Sequence, residues 1–112
     1  MLDRYVLDGE VPVPCPDLMK WAAERESRTW GGCVGRTDVG GKVVHTSFLG
    51  IDHNFDGDGP PLLFETMVRD AASGEWDDFQ ERYATWEEAE KGHKKAVESQ
   101  LHPLQLAALR VK

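Results

Sequence analysis

Two adjacent glycines, Gly40 and Gly41, constrain the fold of this chain more than any other feature of its sequence. They separate residues 33–39 from residues 42–49, two runs that contain several β-branched residues. The two-residue turns that join antiparallel strands need positive φ angles, which glycine adopts without strain. The sequence therefore predicts a β-hairpin. Its register pairs Val39 with Lys42, Asp38 with Val43, Thr37 with Val44, Arg36 with His45, Gly35 with Thr46, Val34 with Ser47 and Cys33 with Phe48.

Two further strands are predicted after this hairpin. The first covers residues 62–69, and the second covers about residues 79–84, beyond a Ser73–Gly74 turn signal. Alternate residues of a strand share one face. One face of the sheet is therefore predicted to form the core, with the apolar or β-branched side chains of Val44, Thr46, Phe48, Leu62, Phe64, Thr66 and Val68.

Two main helices are predicted, at about residues 16–27 and 85–99. Pro16 suits the first position of the first helix, and Leu18, Trp21 and Ala22 form its apolar stripe. Thr85 and Glu88 form a capping box at the start of the second. That helix is predicted to pack through a stripe formed by Trp86, Ala89, His93, Ala96, Val97 and Leu101.

Together these elements predict an α+β fold, an antiparallel sheet of three to five strands with two main helices packed on one face. A chain of 112 residues fits a single domain, residues 1–112. Prolines at positions 12, 14 and 16 predict an extended connection before the first helix, and Pro103 begins a predicted helical turn that ends at Leu109.

The loop LGIDHNFDGDGPP, residues 49–61, places three carboxylates and a histidine within seven residues. Asn, Asp and Gly favour tight turns, so a polar structural turn is one interpretation. The other is a metal-binding or acid–base site at Asp52 and His53, because a histidine oriented by a carboxylate suits both roles. The loop lacks the ligand spacing of an EF-hand, so no calcium site of that type is predicted.

The face of the predicted sheet opposite its core collects polar side chains that could complete such a site. Arg36, His45 and Glu65 lie there, and we treat them as candidate binding residues together with Asp52 and His53. The competing interpretation makes His45 a cross-strand partner of Arg36 and Glu65. His93, on the apolar helical stripe, is interpreted as a hydrogen-bonded histidine at the edge of the core.

No recognisable catalytic motif is present, and no cofactor is predicted. The sequence has no GxSxG, HExxH or SxxK motif and no glycine-rich phosphate loop ahead of a helix. Cys15 and Cys33 are isolated, so they are predicted to be reduced thiols rather than a disulfide or zinc ligands.

The net charge of −7 is concentrated in the middle of the chain. Residues 52–90 hold twelve acids and only two bases, Arg69 and Arg82. This distribution argues against generic binding to DNA or RNA backbones and favours a partner with a basic surface. No apolar run is long enough for a membrane helix and no signal segment opens the chain, so we expect no membrane association and a cytoplasmic location.

Several segments resemble a group of small uncharacterised proteins encoded by bacteriophages and prophages. They are residues 5–8, residues 46–53, residues 60–67 and residues 81–93, and the resemblance extends over about residues 4–98. It implies the cytoplasm of a bacterial host and an accessory protein that binds a host or phage protein, with a charge-mimicking acidic surface as one concrete form. We expect a monomer or homodimer. The alternative is a metal-dependent enzyme or metal-binding protein that uses Asp52, His53 and Glu65.

Overall fold

Residues 3–27 and 32–101, the part of the chain described by the computed structural model, form two antiparallel sheets and two helices. The elements in chain order are β1 Tyr5–Asp8, β2 Val11–Pro14, α1 Leu18–Ser27, β3 Cys33–Val39, β4 Lys42–Phe48, β5 Phe64–Asp70, β6 Trp76–Tyr83 and α2 Trp86–Ser99. β1 and β2 pair with each other, and the larger sheet has the order β3-β4-β5-β6. α2 contacts all four strands of the larger sheet. The predicted α+β class is therefore confirmed, whereas the helical turn predicted at residues 103–109 lies outside the described residues.

The β3–β4 hairpin turns at Gly40 and Gly41, whose φ angles are +56° and +78°. The predicted register holds from the pair of Val39 and Lys42 to the pair of Gly35 and Thr46. Beyond that point it is wrong, because a register shift places Cys33 opposite Ser47. The shift leaves Val34 as an extra residue, and its side chain packs against the core instead of facing the polar side of the sheet.

The core lies between the larger sheet and α2, on the predicted face of the sheet, except that β5 begins at Phe64 and Leu63 is buried in place of Leu62. Three cross-strand pairs form its centre: Val44 with Val68, Thr46 with Thr66 and Phe48 with Phe64. All six side chains are buried, as are Ala89 and Ala96 where α2 packs on them. The Phe48 and Phe64 rings lie 5.4 Å apart, and Trp86 meets Phe64 edge-on.

The proline-rich segment forms strand β2, although the sequence predicts only an extended connection there. Pro12 lies opposite Leu7 and Pro14 opposite Tyr5. The amide of Cys15 donates to the carbonyl of Arg4, so residue 15 faces β1 and the nitrogens of Pro14 and Pro12 point to the outer edge. Proline is compatible with this strand because the amides that it lacks would have had no partner in β1.

α1 begins two residues later than predicted, because Asp17 caps it. The Asp17 carboxylate accepts hydrogen bonds from the amides of Met19 and Lys20, at 3.0 and 3.1 Å. Leu18 is 53% exposed, so the predicted apolar stripe is wrong at that position. Trp21 instead ties α1 to the chain after β4, where its indole nitrogen donates to the carbonyl of Gly50 at 3.0 Å.

The predicted capping box of α2 is observed in part, because Thr85 caps a backbone amide as predicted, whereas the Glu88 carboxylate bonds the Thr85 hydroxyl rather than a backbone amide. The amide of Glu88 donates to the hydroxyl of Thr85 at 3.1 Å, and that hydroxyl donates to the Glu88 carboxylate at 3.3 Å. Directly before α2, β6 begins at Trp76, three residues earlier than predicted, because Trp76 pairs with Arg69 of β5.

Candidate functional site

Asp52 holds the two ends of the acidic loop together. One oxygen of its carboxylate accepts hydrogen bonds from the amide of Asn54 at 2.8 Å and from the amide of Leu62 at 2.9 Å. The Asn54 side chain in turn donates to the carbonyls of Asp58 and Pro60. These hydrogen bonds join the two ends of the loop in an Asx-type turn, as expected if the loop is a polar structural turn.

His53 is held by its own backbone neighbourhood. Its Nδ1 donates to the carbonyl of Ile51 at 2.8 Å, which fixes the proton of a neutral ring on that nitrogen. The ring lies 5.5 Å from the ring of Phe55. Over residues 3–27 and 32–101, no group of three or more His, Cys, Asp or Glu side chains is arranged to hold a metal ion.

Glu65, His45 and Arg36 lie on the face of the larger sheet opposite α2, as predicted, but each has its own partners. The Glu65 carboxylate accepts from Arg82 and Gln80 of β6, both at 2.9 Å. His45 lies opposite Arg36 and Met67, while Glu65 lies opposite Ser47. The predicted pairing of His45 with Arg36 is thus observed, whereas Glu65 is not its direct cross-strand partner.

Burial is the main cause that lowers the pKa of His45, and the positive charges of Arg36 and Arg69 lower it further. Arg36 itself contacts Asp38 at 3.5 Å.

The five candidate residues lie in two separate places, Asp52 and His53 in the loop and the other three on the sheet. Both carboxylates and His53 already have hydrogen-bond partners within the protein.

A chain of polar groups crosses the core on the other side of the sheet. His93 contacts the hydroxyl of Thr37 through Nε2 at 2.8 Å and that of Thr46 through Nδ1 at 2.7 Å. The Thr46 hydroxyl lies 2.6 Å from that of Thr66, which accepts a hydrogen bond from Tyr83 at 3.1 Å. The interpretation of His93 as a hydrogen-bonded histidine at the edge of the core is confirmed. We call this set the polar core chain.

Two glycines give the polar core chain its space. A side-chain carbon at Gly35 would lie 3.0 Å from Nε2 of His93, and one at Gly92 would collide with the ring and hydroxyl of Tyr83. The glycine of α2 therefore lets the Tyr83 ring lie directly against the helix backbone. Neither contact has a local signal in the sequence, since each joins residues from different elements.

His93 is neutral at neutral pH in this environment. Burial is the larger cause that lowers its pKa, and His45 lowers it further. A neutral imidazole can donate through one nitrogen and accept through the other, which matches one threonine hydroxyl on each side. Burial likewise raises the pKa of Tyr83, so its hydroxyl keeps the proton that it donates to Thr66.

A groove of about 470 Å³ runs between β6 and α2. Phe79, Glu81 and Tyr83 of β6 form one wall, and the other is formed by Glu88, Lys91, Gly92 and Lys95 of α2. β6 is an edge strand, and in the described part of the chain no strand pairs with its outer side. This groove was not predicted from the sequence, although the sequence contains its signal, an acidic strand next to an amphipathic helix.

The edge beside the groove is acidic. Glu75, Asp78 and Glu81 are exposed and form no ion pair with any described residue. By contrast, Asp77 lies 3.7 Å from Lys42, and Glu87 lies 3.3 Å from Lys91. We call Glu75, Asp78 and Glu81 the acidic edge.

No protein-family model matches the chain, and no curated protein or solved structure shows significant similarity to it.

Within the described ranges, neither helix has the length and apolar character needed to cross a membrane. Both cysteines are free, as predicted, with Cys15 buried and Cys33 partly buried.

Proposed function

We propose that this protein acts by binding a partner protein through the acidic edge. The observation that carries the proposal is the position of Glu75, Asp78 and Glu81, which lie exposed on β6 and on the residue just before it, without ion-pair partners among the described residues. Unneutralised charge on one surface raises the rate of encounter with an oppositely charged surface and excludes like-charged partners. The preferred partner therefore carries a basic surface.

The proposed setting is the cytoplasm of a bacterial host. The resemblance of residues 4–98 to small phage and prophage proteins supports it. In this setting an accessory protein of this kind acts on a host or phage protein by occupying its basic surface. Mimicry of the negative charge of nucleic acid is one form that such binding takes when the partner normally handles nucleic acid.

Two variants of equal charge test the proposal. The first neutralises the acidic edge with Glu75→Gln, Asp78→Asn and Glu81→Gln. The second neutralises exposed acids on β1, α1 and α2 with Asp8→Asn, Glu26→Gln and Glu98→Gln. Each variant, and the parent protein, is immobilised and exposed to bacterial lysate, and the retained proteins are identified by mass spectrometry. The affinity of each identified protein is then measured with purified components at several salt concentrations.

We expect a partner that binds the parent protein and the second variant but is lost from the first. Its affinity for the parent should fall as salt rises, because exposed charges are screened. Equal losses from the two variants would show that only net charge matters, and binding insensitive to salt would also contradict the proposal. Retention of no specific protein by the parent would contradict it as well.

A further inference from the structure

We propose that β6 accepts an extended basic segment of the partner as a fifth strand, and that alternate side chains of this segment enter the groove between β6 and α2. The inference rests on the proposed function, because it specifies how the acidic edge recognises its partner. Addition of a strand at an exposed sheet edge obtains affinity from main-chain hydrogen bonds and selectivity from the pockets that receive every second side chain.

The backbone of β6 is suited to this pairing. Its residues from Gln80 to Tyr83 pair in regular register with Met67 to Phe64 of β5. In such a ladder, every second residue of an edge strand directs its amide and carbonyl away from the sheet. These groups can accept a new strand at the ordinary interstrand spacing of about 4.8 Å.

The groove side of β6 determines which side chains the new strand should carry. Phe79, Glu81 and Tyr83 alternate along the strand and all line the groove. Phe79 and Tyr83 also pack against the two apolar core clusters, so they present partly buried apolar surface. The cross-strand neighbours of these three residues should therefore be apolar, basic and apolar. The groove volume of about 470 Å³ accommodates side chains of this size.

The opposite side of β6 imposes little selection. Arg82 and Gln80 point to that side, and both already donate to the Glu65 carboxylate at 2.9 Å. The charge of Arg82 is thus compensated within the protein, whereas that of Glu81 is not compensated by any ion pair among the described residues. Recognition should depend on the groove-facing positions.

A second copy of this chain suits the edge less well than a basic segment does. β6 carries Asp77, Asp78 and Glu81 against a single base, Arg82. Pairing two β6 strands would bring together two edges of the same net charge, and like charges across neighbouring strands destabilise a sheet. A basic segment has the opposite effect.

Synthetic peptides test this mode of binding on the purified full chain. The probe peptide contains Val-Thr-Lys-Thr-Val and the control peptide contains Val-Thr-Glu-Thr-Val, within identical neutral flanks. This pattern reads the same in both directions, so it fits β6 in either strand orientation. Binding is measured by calorimetry, and the residues involved are identified from backbone amide shifts in NMR spectra. We expect the lysine peptide to bind and to perturb β6 and the groove-lining residues of α2.

A charge exchange at Glu81 gives the sharpest result. In Glu81→Lys, the preference should reverse, so that the glutamate peptide binds more tightly than the lysine peptide by about threefold or more. The matched variant Glu98→Lys changes the net charge equally at an exposed position near the end of α2 and should leave the preference unchanged. A preference that follows net charge in both variants would overturn the inference.

Methylation of peptide amides tests the strand pairing itself. Two versions of the lysine peptide carry N-methyl groups on complementary alternating residues. Only one set of amides can face β6, so one version should lose binding and the other should retain it. Equal effects of the two versions, or no saturable binding of the lysine peptide up to about 1 mM, would exclude strand addition. Either outcome leaves the lysate result untouched, so a partner that depends on the acidic edge would then bind in another way.

Discussion

Gly92 and Tyr83 show how much a single missing side chain determines in this protein. The Tyr83 ring occupies the space that a side-chain carbon at position 92 would need, and its hydroxyl donates to Thr66 inside the core. Tyr83 therefore belongs at once to the polar core chain and to the wall of the groove. The close approach of α2 and β6 depends on glycine at this one helical position.

Gly92→Ala should destabilise the protein although it improves the helix. The replacement would normally add about 1 kcal/mol of stability within a helix. Here the new methyl group collides with Tyr83, and overpacking of this kind costs roughly 1–3 kcal/mol. We expect a net loss of roughly 1 kcal/mol in the free energy of unfolding, measured by urea titration.

The same replacement in a Tyr83→Ala background provides the control. With the ring removed, Gly92→Ala should stabilise the protein by close to its ordinary helical increment of about 1 kcal/mol. A stabilising effect in the parent protein would show that the two elements tolerate a wider separation than the structure indicates.

The elements differ in how much of them can be read from local sequence. Gly40–Gly41 and the Thr85–Glu88 capping box place the central hairpin and α2 correctly, because turns and helix starts depend on neighbouring residues. β2 was missed, because its prolines become compatible with a strand only through the direction of pairing with β1. The bulge at Val34 was not predicted, because it goes with the packing of the Val34 side chain against the core and not with any signal in the residues beside it in the sequence.

The acidic loop gives a prediction at the scale of an element. Asp52→Ala removes the acceptor of two backbone amides, so it should cost about 1–3 kcal/mol of stability. Asp52→Asn keeps an oxygen in the same place, so it should stay within about 1 kcal/mol of the parent. Urea titration of the three proteins measures both effects.

A metal site at the loop would give a different pattern in the same three proteins. Mg²⁺, Ca²⁺, Mn²⁺ or Zn²⁺ at a hundred times its dissociation constant would stabilise the parent by about 2.7 kcal/mol relative to EDTA. That shift would be reduced in Asp52→Asn, which lacks the charge. Melting curves with each ion distinguish the two cases, and an ion-dependent rise confined to the parent would contradict a purely structural role for Asp52.

At the scale of the whole molecule, two histidines on opposite faces of the larger sheet, His93 of the polar core chain and His45, make stability depend on pH. The pKa values of His93 and His45 are lowered in the folded protein from the ordinary value of 6.5, mainly by burial. Below that pH the unfolded chain takes up protons that the folded protein does not, so proton uptake favours unfolding. The stability that the two neutral histidines contribute is therefore complete above the unfolded-state pKa, and it decreases as the pH falls through that pKa.

We expect the free energy of unfolding to decline between about pH 7 and about pH 5.5, by no more than about 1.4 kcal/mol per pH unit for each histidine. His93→Gln should reduce this slope even if it also lowers overall stability, and His45→Gln should reduce it independently. Urea titrations across this range measure the slopes. Stability that is constant or rises as the pH falls would contradict the assigned neutral state of the two rings.

The sequence predicted the fold class and most of the core of the larger sheet, since alternation places Val44, Thr46 and Phe48 on one face of β4, and Phe64, Thr66 and Val68 on one face of β5. It did not predict the groove or the polar core chain, because both arise where α2 meets several strands. The candidate residues Asp52, His53, His45, Glu65 and Arg36 were placed correctly on a loop and on a sheet face, but alternation and turn signals cannot tell whether such groups converge. Strand register sets the partners of Arg36, His45 and Glu65. Asp52 and His53 instead form hydrogen bonds with backbone groups of the loop.

The start of the described chain is also joined to its middle. The amide of Tyr5 donates to the carbonyl of Gly50, the amide of Asp52 donates to the carbonyl of Asp3, and Arg4 bridges Ile51. Closing so long a segment carries a large entropic cost, which contacts between distant parts of a chain must overcome. During synthesis on the ribosome, the β1–β2 hairpin is made long before Ile51 exists, so it must wait undocked until β4 and the following loop have left the exit tunnel.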